Sequence, residues 1–123
     1  TTRIESQPLT YVEGIHPHKF RAEGKIMGCV VLLEIQVKPE AVNDVKAMLK
    51  VILQDTRSYA GCEGIDIYDN LDKQGNMVFY ERWESPAHYQ KYLAWRTETG
   101  ALEKLGANLA GPPSIRYFNR VAV

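Results

Sequence analysis

Long apolar runs are missing from this sequence. The longest, Cys29 to Leu33, spans five residues, far short of a membrane-crossing helix, and no charged-then-apolar leader pattern opens the chain. An excess of charge is missing too: 15 basic residues face 15 acidic ones, so no basic field exists to recruit nucleic acid or an anionic membrane. Cysteine is scarce. Cys29 and Cys62 could pair, but two thiols make no disulfide scaffold, and a reduced, cytoplasmic protein is expected. Histidine is scarcer than metal chemistry wants. His16 and His18 flank Pro17 in what reads as a surface turn, no third ligand follows at a standard spacing, and no metal is expected.

What remains is 123 residues, enough for one domain with its own core. Residues 1–28 carry Pro8, Gly14, Pro17, Gly24 and Gly28 without sustained periodicity and predict an extended arm. Leu9, Tyr11, Val12, Ile15, Phe20 and Ile26 are too many apolar side chains for a solvated tail, so the arm is expected to lie along the domain or a partner subunit. Residues 29–123 predict the domain itself.

Within it, Cys29 to Val37 alternates as a strand, with Val31, Leu33, Ile35 and Val37 on one face. Pro39 opens a helix to about Tyr59, whose stripe is Val42, Val45, Met48, Leu49, Ile52, Leu53 and Thr56. Ile65 to Leu71 and a strand from Met77 to about Glu84 flank the turn Asp72 to Asn76 and form a hairpin. Ala101 to Ala110 predicts a short helix, and Ser114 to Val123 a last strand.

The densest stretch is Met77 to Arg96. Met77, Phe79, Glu81 and Trp83 alternate with Val78, Tyr80 and Arg82. Ser85 and Pro86 then start a helix that carries His88, Tyr89, Tyr92, Leu93 and Trp95 and stops at Gly100. Folded back on its strand, this helix predicts an apolar enclosure with a few polar handles, as small-molecule sites have. The enzymatic reading needs these rings to leave a hollow; rings packed solid would leave only the architecture.

The order strand, helix, strand, strand, helix, strand predicts an α+β ferredoxin-like βαββαβ fold with an antiparallel sheet. Right-handed crossovers put strands one and three at its centre and two and four at its edges. The face without helices, where Val30, Leu32, Tyr68, Val78, Tyr80 and Phe118 fall, is too apolar to stay wet. A homodimer burying sheet on sheet is expected.

The segments VVLLEIQVKPEAVNDVKAML, GCEGIDIYDN and MVFYERWESPAHYQKYL, in that order and at those intervals, resemble the antibiotic biosynthesis monooxygenase (ABM) family of dimeric α+β barrels. The similarity spans about residues 29–120, and the string Glu81-Arg82-Trp83-Glu84-Ser85 is its most specific part. The resemblance implies a homodimer whose subunits often act on quinols or polyketide-derived phenols with molecular oxygen, without metal or flavin. Many family members carry a histidine where this chain has Tyr92. A heme-degrading branch looks similar but places tryptophan at the position of Tyr92 and histidine at that of Leu102, and neither is present.

His88 is the one imidazole of the folded body and a natural base at neutral pH; an exposed first-turn residue is the plain alternative. Tyr92 and Tyr80 suit orienting or deprotonating a phenol, or serve as core tyrosines with satisfied hydroxyls. Trp83 and Trp95 suit stacking on a flat ligand, with Arg82 beside them; the plain reading of Trp83, at a strand end, is core or interface, and Trp95, off the main stripe, suits capping a pocket or a partner. Glu81 on a central strand must be paired, with Arg82, Arg116 or a partner-chain arginine, or must have a raised pKa; a structural ion pair is the first reading and a general base the second. Three functions follow: a cofactor-independent monooxygenase using oxygen and a small aromatic, quinol or polyketide-type substrate; a non-redox cyclase or isomerase on the same barrel; or a non-catalytic ligand-binding or assembly domain.

Overall fold

The computed structural model describes residues 28–123; the arm expected over residues 1–28, including His16 and His18, lies outside them apart from Gly28. The elements run β1 (Cys29–Gln36), a 3-10 turn (Pro39–Ala41) leading into α1 (Val42–Ser58), β2 (Cys62–Asp69), β3 (Asn76–Trp83), α2 (Pro86–Thr99), α3 (Ala101–Ala107) and β4 (Ser114–Asn119). The strands form one antiparallel sheet in the order β2-β3-β1-β4. This is the α+β ferredoxin-like arrangement expected, with β1 and β3 central and α3 added before the last strand.

Period-two alternation divides the sheet. Ile65, Glu81, Val31 and Tyr117 stand abreast on β2, β3, β1 and β4, and the next row, Asp66, Tyr80, Leu32 and Arg116, points the opposite way. Ile35, Met77, Phe79 and Ile65 are buried with Val45, Leu49 and Leu53 of α1 in one apolar cluster. Val45, Leu49 and Leu53 recur every fourth residue, so one stripe of α1 goes down and the rest stays wet. Full burial of each large apolar side chain is worth about 2 kcal/mol.

The start of α2 is the one the sequence implies. Ser85 Oγ accepts the His88 amide at 3.2 Å and Pro86 holds the first helical position. At the other end Gly100 has φ +83° and its N–H reaches the carbonyls of Arg96 and Thr97, a left-handed cap that glycine takes without strain. In the hairpin, Gly75 has φ +84°, and a Cβ there would sit 2.6 Å from the Val37 carbonyl oxygen, so glycine alone fits.

The helix-free face keeps Val30, Leu32, Val78 and Tyr80 half-buried, with Tyr68 and Phe118 56% and 42% exposed. No helix among the described residues is long and apolar enough to cross a membrane.

Candidate functional site

Toward the end of β3 the helix-facing row changes character. Cys29, Val31, Trp83, Tyr89, Tyr92 and Leu93 form a second buried cluster, and Glu81 lies within it at 2% exposure. Parity puts Glu81 there: it is two residues from both Phe79 and Trp83 on one strand, so it shares their face.

The Trp83 indole Nε1–H donates to Glu81 Oε1 at 2.9 Å. Among the described residues the ion pairs join Lys46 to Asp69 and Arg116 to Glu34, and the His88 ring lies 3.5 Å from Glu84; none of these contacts involves Glu81. Loss of water lifts the Glu81 carboxyl from its ordinary 4.5 to about 7, against the opposing pull of the indole hydrogen bond. Its charge in turn adds to the burial that raises the groups around it, Cys29, Cys62, Tyr89 and Tyr92. Cys29 is pushed up to about 12. Glu81 is thus the member of this group that changes protonation near neutrality.

The rings meet one another. Trp83 stands 5.0 Å from Tyr92 and 5.5 Å from Tyr89, centroid to centroid; Tyr89 reaches Tyr117 at 5.9 Å, and Tyr92 reaches Tyr59 at 5.3 Å. These are contact separations, and Trp83 and Tyr89 are 0% and 1% exposed. Tyr59, Trp95, Leu102, Ile115 and Tyr117, all half-buried, pack around the cluster as its margin.

Tyr92 faces α1. Arg96 Nε donates to its hydroxyl at 2.9 Å, and that hydroxyl lies 2.6 Å from Thr56 Oγ1. Thr56 Oγ1 in turn lies 3.3 Å from the Ile52 carbonyl. The proton assignment that satisfies every partner sends the Tyr92 proton to Thr56 and the Thr56 proton to Ile52. Arg96, itself buried, also donates from Nη2 to Ile52 O at 2.7 Å and to Thr56 Oγ1 at 3.0 Å. Burial raises the Tyr92 phenol, and Thr56 and Arg96 oppose the rise.

The sequence-proposed residues are therefore brought together only in part. Glu81, Trp83 and Tyr92 share one cluster, with Trp95 on its margin. Trp95 stacks on Tyr59 at 5.1 Å and carries the Arg96 guanidinium 4.5 Å from its ring. Tyr80 and Arg82 do not join them: both lie on the opposite sheet face, where Arg82 crosses Gly64 and donates to Glu63 O at 3.2 Å. Arg116 is on that face too, so the ion pair offered to Glu81 by Arg82 or Arg116 is not formed.

His88 sits at the start of α2, its side chain 39% exposed and 3.5 Å from Glu84. Its Nδ1 is 2.7 Å from Ser85 Oγ, and its ring lies against Gly61. Arg96 and Thr56 escaped the sequence reading of the site. The signal for Arg96 is positional: Tyr89, Tyr92, Leu93 and Arg96 occupy one stripe at intervals of three, four and seven. Among the described residues no three His, Cys, Asp or Glu side chains converge to hold a metal ion.

Known proteins share this fold. A family model described as antibiotic biosynthesis monooxygenase matches residues 29–97, more than half of the chain. "Putative monooxygenase Rv0793" of Mycobacterium tuberculosis is 28% identical over 78 residues, covering 58% of this chain and 76% of its own. The solved structure of Rv0793 superposes with a TM-score of 0.69 at 21% identity, over 78% of this chain and 97% of that one.

A conserved protein from Methanosarcina mazei Go1 gives a TM-score of 0.72 at 19% identity, over 78% and 95% of the two chains. A monooxygenase from the gene ActVA-Orf6 of Streptomyces coelicolor, solved with the ligand nanaomycin D, gives 0.65 at 19% identity, over 84% and 96%. These structural likenesses concern the fold.

Proposed function

The chain belongs to the antibiotic biosynthesis monooxygenase family, and from that premise we propose that it is a cofactor-independent monooxygenase of small aromatic, quinol or polyketide-type substrates, with Glu81 as proton acceptor. The observation that carries this reading is a buried carboxyl, walled by aromatic rings, whose pKa is raised to about 7. A base works best when its pKa lies near the working pH, and desolvation of the fixed carboxylate makes it stronger than one in water.

The electrons balance without flavin or metal. Glu81 removes a proton from a phenolic O–H or an activated C–H. The electron-rich anion passes an electron to oxygen, and the two radicals join. Cleavage of the O–O bond leaves one oxygen on the substrate and releases the other as water, so the substrate supplies all four electrons.

His88 and Tyr92 take other parts here. The Tyr92 hydroxyl is committed to Thr56 and Arg96, and the His88 ring to Ser85 and Glu84. The rings are in contact, so on this reading the hollow that an enzyme needs opens only when substrate displaces the half-buried margin of Tyr59, Trp95 and Tyr117; a margin that stays shut would leave only the architecture. The apolar, half-buried sheet face supports a homodimer that covers it with a second copy.

The contact between the rings favours one second reading, a non-catalytic binding or assembly domain. Oxygen uptake with a panel of hydroquinones and anthrones separates the two. Consumption that depends on Glu81 is expected. Binding without consumption by any member would remove the oxygenase, and substrate rearrangement without oxygen uptake would point to a cyclase or isomerase.

A further inference from the structure

The oxygenase reading uses Glu81 and leaves the chain of rings beside it unexplained. Trp83 is fully buried, and its indole nitrogen, a donor only, spends its proton on a carboxylate rather than on a backbone carbonyl. A carbonyl cannot accept that proton outright, whereas a carboxylate can. From Trp83 the rings continue without a gap: Tyr92 at 5.0 Å, then Trp95 at 6.1 Å, then Tyr59 stacked on Trp95 at 5.1 Å. Trp83 and Tyr92 are buried, and Trp95 and Tyr59 are half-buried. The series thus runs from the centre of the cluster to its margin.

We propose that Trp83 is redox-active: it gives one electron to an oxygen-derived radical while its indole proton passes to Glu81, and the rings of Tyr92, Trp95 and Tyr59 carry the resulting hole to the margin of the molecule. In the oxidation the N–H bond of Trp83 breaks, an O–H bond forms on the Glu81 carboxylate, and the oxidant is reduced by one electron. In the return step Trp83 recovers an electron from Trp95 and its proton from Glu81, and Trp95 releases its own proton to water. Tyr92 bridges rather than stores the hole, because its hydroxyl proton has only a threonine oxygen to go to and a guanidinium donates to its oxygen. Trp83 is therefore the buried ring with a base in place.

The biological oxidant rests on the oxygenase reading, in which a substrate radical and superoxide form in an enclosed cluster. Superoxide takes the substrate's proton back from Glu81, which restores the carboxylate, and the resulting hydroperoxyl radical, left unpaired, would otherwise attack the protein. The redox chemistry of Trp83 does not rest on it. The test accordingly uses the full chain without substrate, with photoexcited ruthenium tris-bipyridine and persulfate as oxidant. Transient absorption and electron paramagnetic resonance distinguish a neutral indolyl radical from its protonated cation.

Above the Glu81 titration near 7 the neutral radical is expected. It is lost in Trp83→Phe and forms more slowly in Trp95→Phe. Below that titration, and at every pH in Glu81→Gln, the cation is expected instead. The groups facing Glu81, Cys29, Cys62, Tyr89 and Tyr92, are all raised and do not titrate in this range. The pH series on the unmodified protein stands even if a variant fails to fold. A neutral Trp83 radical that survives both acid and Glu81→Gln, or a hole that settles on a tyrosine with none on Trp83, would overturn the proposal.

Discussion

The two buried clusters share one sheet and one helix layer, yet they are built from different materials. The first, around Val45, Leu49, Leu53, Met77 and Phe79, contains aliphatic side chains, a phenylalanine and no hydrogen-bonding side-chain group. The second, around Trp83, Tyr89 and Tyr92, encloses Glu81 and is tied to α1 through Thr56 and Arg96. Apolar packing is insensitive to pH and loses stability when atoms are removed. A buried carboxyl costs stability when it ionises, and a fold retains it more readily where it has chemistry to do. One half of the layer therefore reads as the part that holds the fold, the other as the part that uses it.

Substitutions sharpen or break that division. The largest effect is expected from Glu81→Gln, which keeps shape and removes the base: oxygen uptake should fall about a hundredfold or more, while the protein stays folded and, above pH 7, no less stable than wild type. Leu49→Ala should do the reverse, costing about 3 kcal/mol in urea unfolding while leaving turnover per folded molecule close to wild type. If Leu49→Ala lowered turnover as much as Glu81→Gln does, the two halves would not be separable.

Of the two clusters, the second is the one whose contribution to stability depends on pH. The folded pKa of Glu81, about 7, lies above its unfolded 4.5. Its contribution is fully present below 4.5, drains as pH rises through 7, and is flat beyond, with a ceiling of roughly 3 kcal/mol. Denaturant titrations across this window should show the decline in wild type and its absence in Glu81→Gln.

Tyr92→Phe should cost about 1 to 2 kcal/mol, since Thr56 and Arg96 lose a shared partner, without the large turnover loss expected of a base. Ser85→Ala should cost about 1 kcal/mol as a lost helix cap. A greater loss of turnover in His88→Ala than in Glu81→Gln would move the base to the histidine.

Much of this was legible in the residues, and the failures have physical causes. Strand alternation around Val31, Leu33, Ile35 and around Phe79, Glu81, Trp83 sets the sheet faces, and Ser85, Pro86 and Gly100 bound α2 by local backbone chemistry. The same alternation already puts Tyr80 and Arg82 on the far face. Grouping them with Glu81 overrode the strand's own period, and the ion pair expected from Arg82 or Arg116 fails for the same reason.

Whether rings at correct spacings fill a space or frame one was not legible, because it depends on side-chain rotamers and on Tyr59 and Tyr117 arriving from other elements. The charge of Arg96 argues for solvent. Its place on the Tyr89, Tyr92, Leu93 stripe argued for burial, and the Ile52 carbonyl that receives it lies 44 residues away in sequence.

The most direct measurement is kcat/KM for oxygen uptake against pH, in wild type and in Glu81→Gln, on whichever hydroquinone or anthrone is turned over. The account predicts a rise to a plateau with its midpoint near 7 in wild type, and a low profile without that midpoint in the variant. A variant that keeps both the rate and the midpoint would contradict it.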